Sequence, residues 1–160
     1  MIDYPKYKKV LFCTDFSENS DFAFNYAFGV AKRDESTLYI LHVLPENPNL
    51  GYLNNYLDTE TLERIQKGVL EDVAHQFRER YLDNIGNEVK YETVTKSGRQ
   101  AREIVEFAKD EGVDLIVMGT HGTTGIEHVF FGSVAQKVIQ RSPLPVFVIP
   151  CEKKLEELKR

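Results

Sequence analysis

Apolar and polar positions follow two rhythms along this chain. Five segments have strand character: KVLFCT (9–14), TLYILHVL (37–44), EVKYETVT (88–95), VDLIVMG (113–119) and PVFVIP (145–150). The runs at 9–14, 37–44 and 113–119 are almost continuously apolar, as strands covered on both faces must be. The run at 88–95 alternates more, which predicts a place nearer a sheet edge. Between the strands the period lengthens to that of a helix. From Glu18 to Arg33, Ala23, Ala27 and Ala31 recur, backed by Phe24, Tyr26, Phe28 and Val30. From Thr59 to Asp83 the stripe is Leu62, Ile65, Val69, Val73, Phe77 and Tyr81. Ala101, Ile104, Val105 and Ala108 mark a helix over 100–110, and Val134, Ala135, Val138 and Ile139 one over 133–140.

The order is therefore β-α-β-α-β-α-β-α-β. Strands alternating with helices predict an α/β fold, a parallel sheet with right-handed crossovers and helices on both faces. No internal repeat or interior linker interrupts it. The connection PENPNLGYLNNYL (45–57) is long for a compact domain. It reads either as a lid or contact surface or as a plain surface excursion. The end, CEKKLEELKR (151–160), is charged and helix-prone, which suggests a solvated tail at 152–160 after one domain at 1–151.

Composition narrows the class. With 160 residues, 42% hydrophobic and 28% charged, the chain can bury one ordinary core. No apolar run approaches the ~20 residues of a membrane-spanning helix, and the first residues lack the pattern of a secretory signal. Cys13 and Cys151 match neither a metal spacing nor a disulfide framework and read as packing residues. A cytoplasmic setting is the expectation. A net charge of −5, without an interior block of Lys or Arg, argues against a nucleic-acid surface. It leaves room for a small anion held by backbone amides.

That possibility centres on GTHGTTGIEHVFFGSVAQ (119–136). Gly119, Gly122 and Gly125 crowd the end of the fourth strand, and Gly132 opens the fourth helix. Ordered glycine costs roughly 0.5–1 kcal/mol relative to Ala, so a turn or a ligand should offset it. Gly119 and Gly122 allow close backbone approach and positive φ. At Gly132-Ser133 the free N–H groups of a helix start offer an anion site, with the Ser133 hydroxyl beside them. The first strand runs into CTDFSENS, placing Asp15 past its end and Ser17 as a helix cap. Ligands of open α/β sheets bind beyond the carboxyl ends of strands where the order reverses. If the first and fourth strands are neighbours, Asp15 faces the glycine loop. Such a pair suits a nucleotide, the carboxylate accepting from ribose hydroxyls or a base amine. Asp15 also reads simply as a helix-proximal cap.

The pattern is neither a P-loop nor the dinucleotide fingerprint. Gly119-x-x-Gly122, nine residues and then Gly132-Ser133 resembles the nucleotide-binding signature of the universal stress protein family, of the ATP-binding kind. KVLFCTDFSENSDFAFNYA, LHVLPE and the whole of GVDLIVMGTHGTTGIEHVFFGSVAQKVIQRSPLPVFVIP are similar to that family's opening, second strand and closing half. The resemblance implies a five-stranded sheet in the order 3-2-1-4-5, a Rossmann-like fold that binds adenine nucleotides. It implies that Asp15 contacts the nucleoside and Val43 the adenine, while Met118, Gly119, Gly122, Gly132, Ser133 and Val134 line the ribose and phosphate path. With their neighbours Cys13, Thr14, Thr120 and His121, these are the candidate nucleotide-binding residues. Cys13 departs from the Pro or small residue common there.

The function implied is a cytoplasmic stress-response regulator that binds ATP, alone or with Mg2+ or Mn2+. Its occupancy would set the conformation of 120–131 and 45–57 for a protein partner to read. Two rivals stand beside it: a slow ATP hydrolase in the same pocket, and a dimeric module holding AMP or no nucleotide. The loop offers no Lys for hydrolysis, and His121 and His128 read as incidental loop histidines, so no catalytic residue is assigned. His42 reads as a satisfied interior or rim residue and His75 as solvated. The family order puts 145–150 at a sheet edge, where pairing with a second copy predicts a homodimer. The bracketing prolines are the counter-argument, since they protect such an edge.

Overall fold

The structure, a computed structural model, describes residues 4–46, 53, 55–120, 132–152 and 156. His121, Gly122, Gly125, His128 and most of 45–57 and of the tail lie outside them. The elements are β1 (Lys9–Thr14), α1 (Glu18–Asp34), β2 (Thr37–Pro45), α2 (Thr59–Phe77), β3 (Lys90–Gly98), α3 (Gln100–Asp110), β4 (Leu115–Gly119), α4 (Ser133–Arg141) and β5 (Val146–Ile149). α2 runs on through a π-helical turn (Arg78–Leu82) into a last turn (Asp83–Ile85). The five strands form one parallel sheet in the order β3-β2-β1-β4-β5.

The period-2 alternation of strand side chains divides the core. Val10 and Phe12 of β1, with Leu38, Ile40, Leu115 and Val117, face α1 and α2. Leu11 and Cys13, with Tyr39, Leu41, Val43, Ile116 and Met118, face α3 and α4. The alanine row Ala23, Ala27, Ala31 lets α1 lie close on the sheet, and all three are buried. β3, at the edge, is mostly exposed, as its alternation predicts.

Three expectations need adjustment. β3 begins at Lys90 rather than 88 because Glu88 still belongs to the preceding turn, its N–H donating to the Ile85 carbonyl at 3.3 Å. β4 begins at Leu115 because the Val113 N–H closes α3 on the Ala108 carbonyl at 2.9 Å. The α2 stripe is half used: Val73, Phe77 and Tyr81 are buried, whereas Ile65 and Val69 are 46% and 40% exposed. Periodicity reports which residues share a face, not whether anything packs upon it.

The start of the sheet is fastened by two carboxylates. Asp114 Oδ2 accepts from the Lys8 and Lys9 N–H groups at 2.7 and 2.9 Å. Asp34 ends α1, where a negative charge opposes the helix dipole. It is buried all the same, because Arg33 Nε donates to it at 2.7 Å and the Tyr7 N–H at 3.1 Å. The Arg33 hydrogen bond first, then the Tyr7 amide, hold this carboxyl at about 2, below its ordinary 3.8. A depressed folded pKa adds stability that is complete above the unfolded value and disappears as pH falls through the folded one. We expect wild-type protein to lose stability between about pH 4 and pH 2. Asp34→Asn, followed by urea denaturation across that range, should be less stable at neutral pH and flatter below pH 4.

Candidate functional site

β1 and β4 are hydrogen-bonded neighbours with Cys13 opposite Met118. Their carboxyl ends open between α1 and α4 on one side and β2 and α3 on the other. After Thr14 the chain must turn sharply into α1, and Phe16 takes the left-handed conformation, φ 61°. That conformation costs roughly 1–2 kcal/mol for a residue with a side chain, so neighbours must hold it. The Phe16 N–H donates to Thr14 Oγ1 at 2.9 Å. The ring lies on His42 with centroids 4.4 Å apart and edge-on to Phe77 at 5.3 Å. His42 Nδ1 in turn bonds the Thr14 carbonyl at 2.9 Å, the rim role expected of it.

The helix start is closed by its own side chains. Ser17 caps α1, accepting from the Ser20 N–H at 3.2 Å. Asp15 Oδ1 accepts from the Ser17 N–H at 3.1 Å and from the Ser20 hydroxyl at 2.6 Å. The cap reading of Asp15 is thus real, yet the residue also borders the cavity. The two readings do not exclude each other.

Across the cleft, the Thr120 N–H donates to the Ile149 carbonyl at 2.9 Å, and the Thr120 carbonyl accepts from the Gly132 N–H at 2.5 Å. The two ends of the 121–131 segment are therefore tied together, and α4 starts beside the end of β4. Gly132 is its N-cap and has no side chain to offer, and α4 carries no acidic residue in its first turn. By contrast α1 has Glu18 and Asp21 there, α2 has Glu60 and α3 has Glu103. Gly119 does not use the positive φ that its residue type allows: it is the extended last residue of β4, and the glycines with positive φ among the described residues are Gly86, Gly98 and Gly112. The strained backbone at the site belongs to Phe16 instead.

These ends enclose a cavity of about 230 Å³. The structure brings Cys13, Thr14, Asp15, Val43, Met118, Gly119, Thr120, Gly132, Ser133 and Val134 to its wall. It adds Ser20, Leu41, Gln100, Ile104 and Ala135, which the sequence reading missed. Leu41 could have been found, since it lies two residues before Val43 on the same strand face. Ser20 lies one helical turn beyond the Ser17 cap. Burial raises the Cys13 thiol far above its usual range, so it contributes an apolar, uncharged wall. The result is an apolar slot rimmed by hydroxyls, one carboxylate and the open N–H groups of a helix start. Among the described residues no group of three or more His, Cys, Asp or Glu could hold a metal, and no helix is long and apolar enough to cross a membrane.

Comparison with known proteins places this geometry in a family. The family model described as universal stress protein matches residues 6–150. The universal stress protein MJ0577 of Methanocaldococcus jannaschii is 36% identical over 157 residues, spanning 89% of this chain and 94% of that protein. The solved structure of MJ0577 superposes with a TM-score of 0.74 at 30% identity, covering 92% of this chain and 99% of that one. Two more distant structures share the fold. One is a universal stress protein in complex with cAMP (TM-score 0.59, 21% identity, 91% and 98% covered). The other is the Archaeoglobus fulgidus universal stress protein in complex with dAMP (TM-score 0.56, 21% identity, 91% and 99% covered).

The site's polar bracket can be tested without a ligand. Ser20 is buried and bonds the Asp15 carboxylate. We expect Ser20→Ala to cost about 1.5–3 kcal/mol, the range for a hydrogen bond to a charged group, read as a lower urea midpoint at unchanged slope.

Proposed function

This chain belongs to the universal stress protein family, and from that premise we propose that it binds ATP in the β1–β4 cleft and works as a nucleotide-dependent regulator. The observation that carries the reading is the meeting of Asp15 with the uncapped start of α4 around one cavity. The adenine would lie in the apolar slot of Cys13, Leu41, Val43, Ile104 and Met118. The Asp15 carboxylate, which only accepts, suits the ribose hydroxyls. The phosphates would meet the N–H groups at Ser133 and Val134 and the Ser133 hydroxyl, where the helix dipole favours negative charge.

The cavity is smaller than the ~300–1,000 Å³ of sites that enclose a whole ligand of this size. The nucleoside would fit inside it, with the phosphates running out past Ser133; His121 and Gly122, the remaining candidates, lie outside the described residues. ATP would enter alone or with Mg2+ or Mn2+ on its phosphates. The solved relatives that hold cAMP and dAMP support an adenine nucleotide as the class of ligand. Occupancy would set the conformation of 120–131 and 45–57, and a partner in the cytoplasm would read it. Residues 1–151 are the binding unit in this reading and 152–160 its charged tail.

On protein stripped of endogenous nucleotide, titration calorimetry should show ATP binding in the micromolar range. Gly132→Val puts a branched side chain where the phosphates approach, and we expect about 10-fold weaker binding, which is ~1.4 kcal/mol. No heat with wild-type protein at millimolar ATP would end the proposal.

We also propose a homodimer through 145–150. β5 is a sheet edge, and Phe147 on it is 40% exposed although it meets the Tyr7 ring edge-on at 6.1 Å. Antiparallel pairing of two such edges about a two-fold axis would cover it. Light scattering should give twice the chain mass at micromolar concentration, and Phe147→Lys should return the single-chain mass. A wild-type protein at single-chain mass throughout would remove the idea.

A further inference from the structure

The turn that presents Asp15 is held from the face opposite the cavity. Tyr81 reaches it from the π-helical turn of α2, with its ring against Phe12 and Phe24 at centroid distances of 5.4 and 4.6 Å. The residue is fully buried. Its hydroxyl donates to Asp21 Oδ1 at 2.8 Å and lies 2.6 Å from Thr14 Oγ1. A carboxylate only accepts and a phenol has one proton. The Tyr81 proton therefore goes to Asp21, and the Thr14 hydroxyl must donate to the Tyr81 oxygen. That leaves a Thr14 lone pair for the N–H of Phe16, 2.9 Å away. The chain of donors runs in one direction: Phe16 N–H to Thr14, Thr14 to Tyr81, Tyr81 to Asp21. Bonds in such a chain polarise and strengthen one another.

The far end is anchored by the same turn of helix. Arg80 Nη1 donates to Asp21 Oδ2 at 2.5 Å, and Arg80 Nε to Gln76 Oε1 at 2.7 Å. In the π turn the Asp83 N–H bonds the Arg78 carbonyl, five residues back. The wider turn brings consecutive side chains closer in angle, so Arg80 and Tyr81 converge on one carboxylate. Burial raises the Tyr81 pKa well above its usual value, so the hydroxyl keeps its proton at any physiological pH.

We propose that Tyr81 is a positioning residue for the nucleotide site: through Thr14 it fixes the left-handed Phe16 turn that presents Asp15, and so ties nucleotide affinity to the order of the π turn in α2. The inference rests on the nucleotide reading above only for its ligand. Core packing alone would explain the ring of Tyr81 but not the hydroxyl. Phenylalanine fills the same space, and a buried hydroxyl is stabilising only where it is bonded. The strained turn borders the cavity, and every bond in the chain ends on it or on a group that orients it.

The test is Tyr81→Phe, which removes one oxygen, with two measurements. Hydrogen exchange on ligand-free protein should show the amides of 15–20 exchanging several-fold faster than wild type. Calorimetry should show ATP binding about 5-fold weaker, in line with loss of the bond between the neutral hydroxyls of Thr14 and Tyr81, the one that reaches the Asp15 turn. Ile85→Val, in the buried last turn of α2, is the control; it should lower the melting temperature without changing affinity. Asp21→Asn, on a partly exposed residue, loosens the chain from its other end and should move both readouts the same way. Unchanged exchange over 15–20 in Tyr81→Phe and Asp21→Asn overturns the clamp whatever the ligand. Unchanged ATP affinity in both variants, with wild type binding, overturns it and leaves the nucleotide reading intact. Equal weakening by Ile85→Val assigns the effect to global stability and also overturns it. Faster exchange with no ATP binding in wild type keeps the clamp on the Asp15 turn and removes the nucleotide reading instead.

Discussion

The whole molecule is arranged around β1, which has no side open to solvent. It is paired on one edge with β2 and on the other with β4. Its side chains alternate into two separate cores, one under α1 and α2, the other under α3 and α4. A strand so enclosed can leave the sheet only at its ends. At the carboxyl end the chains that follow β1 and β4 lead to different helices, and a cleft is the geometric consequence. The same enclosure forces the abrupt reversal into α1. That reversal is why Phe16, a bulky residue, occupies a conformation usually reserved for glycine, and why so many neighbours are devoted to holding it.

Element types were legible in the sequence because burial imposes period. Continuous apolar runs marked the enclosed strands, alternation marked the edge strand β3, and the alanine row marked the close-packed helix α1. Strand order was not legible from pattern, since a periodicity says nothing about which neighbour a strand takes; the family resemblance supplied it. The starts of β3 and β4 slipped by two residues because turns carry buried residues such as Val89 and Val113 that look like strand. The first half of the α2 stripe looked like core and is partly exposed, a difference that depends on what lies opposite it.

The cavity was partly legible. Asp15 and Gly132-Ser133 stood out because a carboxylate follows one apolar strand and a glycine-rich run after another leads into a helix start. Ser20, Gln100 and Ile104 did not, because each is an ordinary residue for its helix and becomes a wall only through the packing of three elements. Tyr81 read as one more apolar position in a stripe. Its hydroxyl acquires a role only when α1, β1 and the π turn meet.

Gly132 stands out when the start of α4 is set beside those of the other helices. The free N–H groups of a helix start are met by a side-chain acceptor, by water or by a bound anion, and an acidic first turn offsets the dipole. At α1, Ser17 and Asp15 supply acceptors and Glu18 and Asp21 supply charge. At α2, Asp58 caps by accepting from the Thr61 N–H at 2.8 Å. α3 lacks a side-chain cap but has Glu103 in its first turn. α4 alone among the described helices has neither, and its N-cap is a glycine, without a side chain. Its start faces the cavity and is tied to the end of β4 by the Thr120–Gly132 bond. A helix start with no neutralising side chain favours negative charge in the cleft beside it. The backbone at Gly132 is extended (φ −65°, ψ 157°) and would accept any residue, so the turn by itself does not require glycine there.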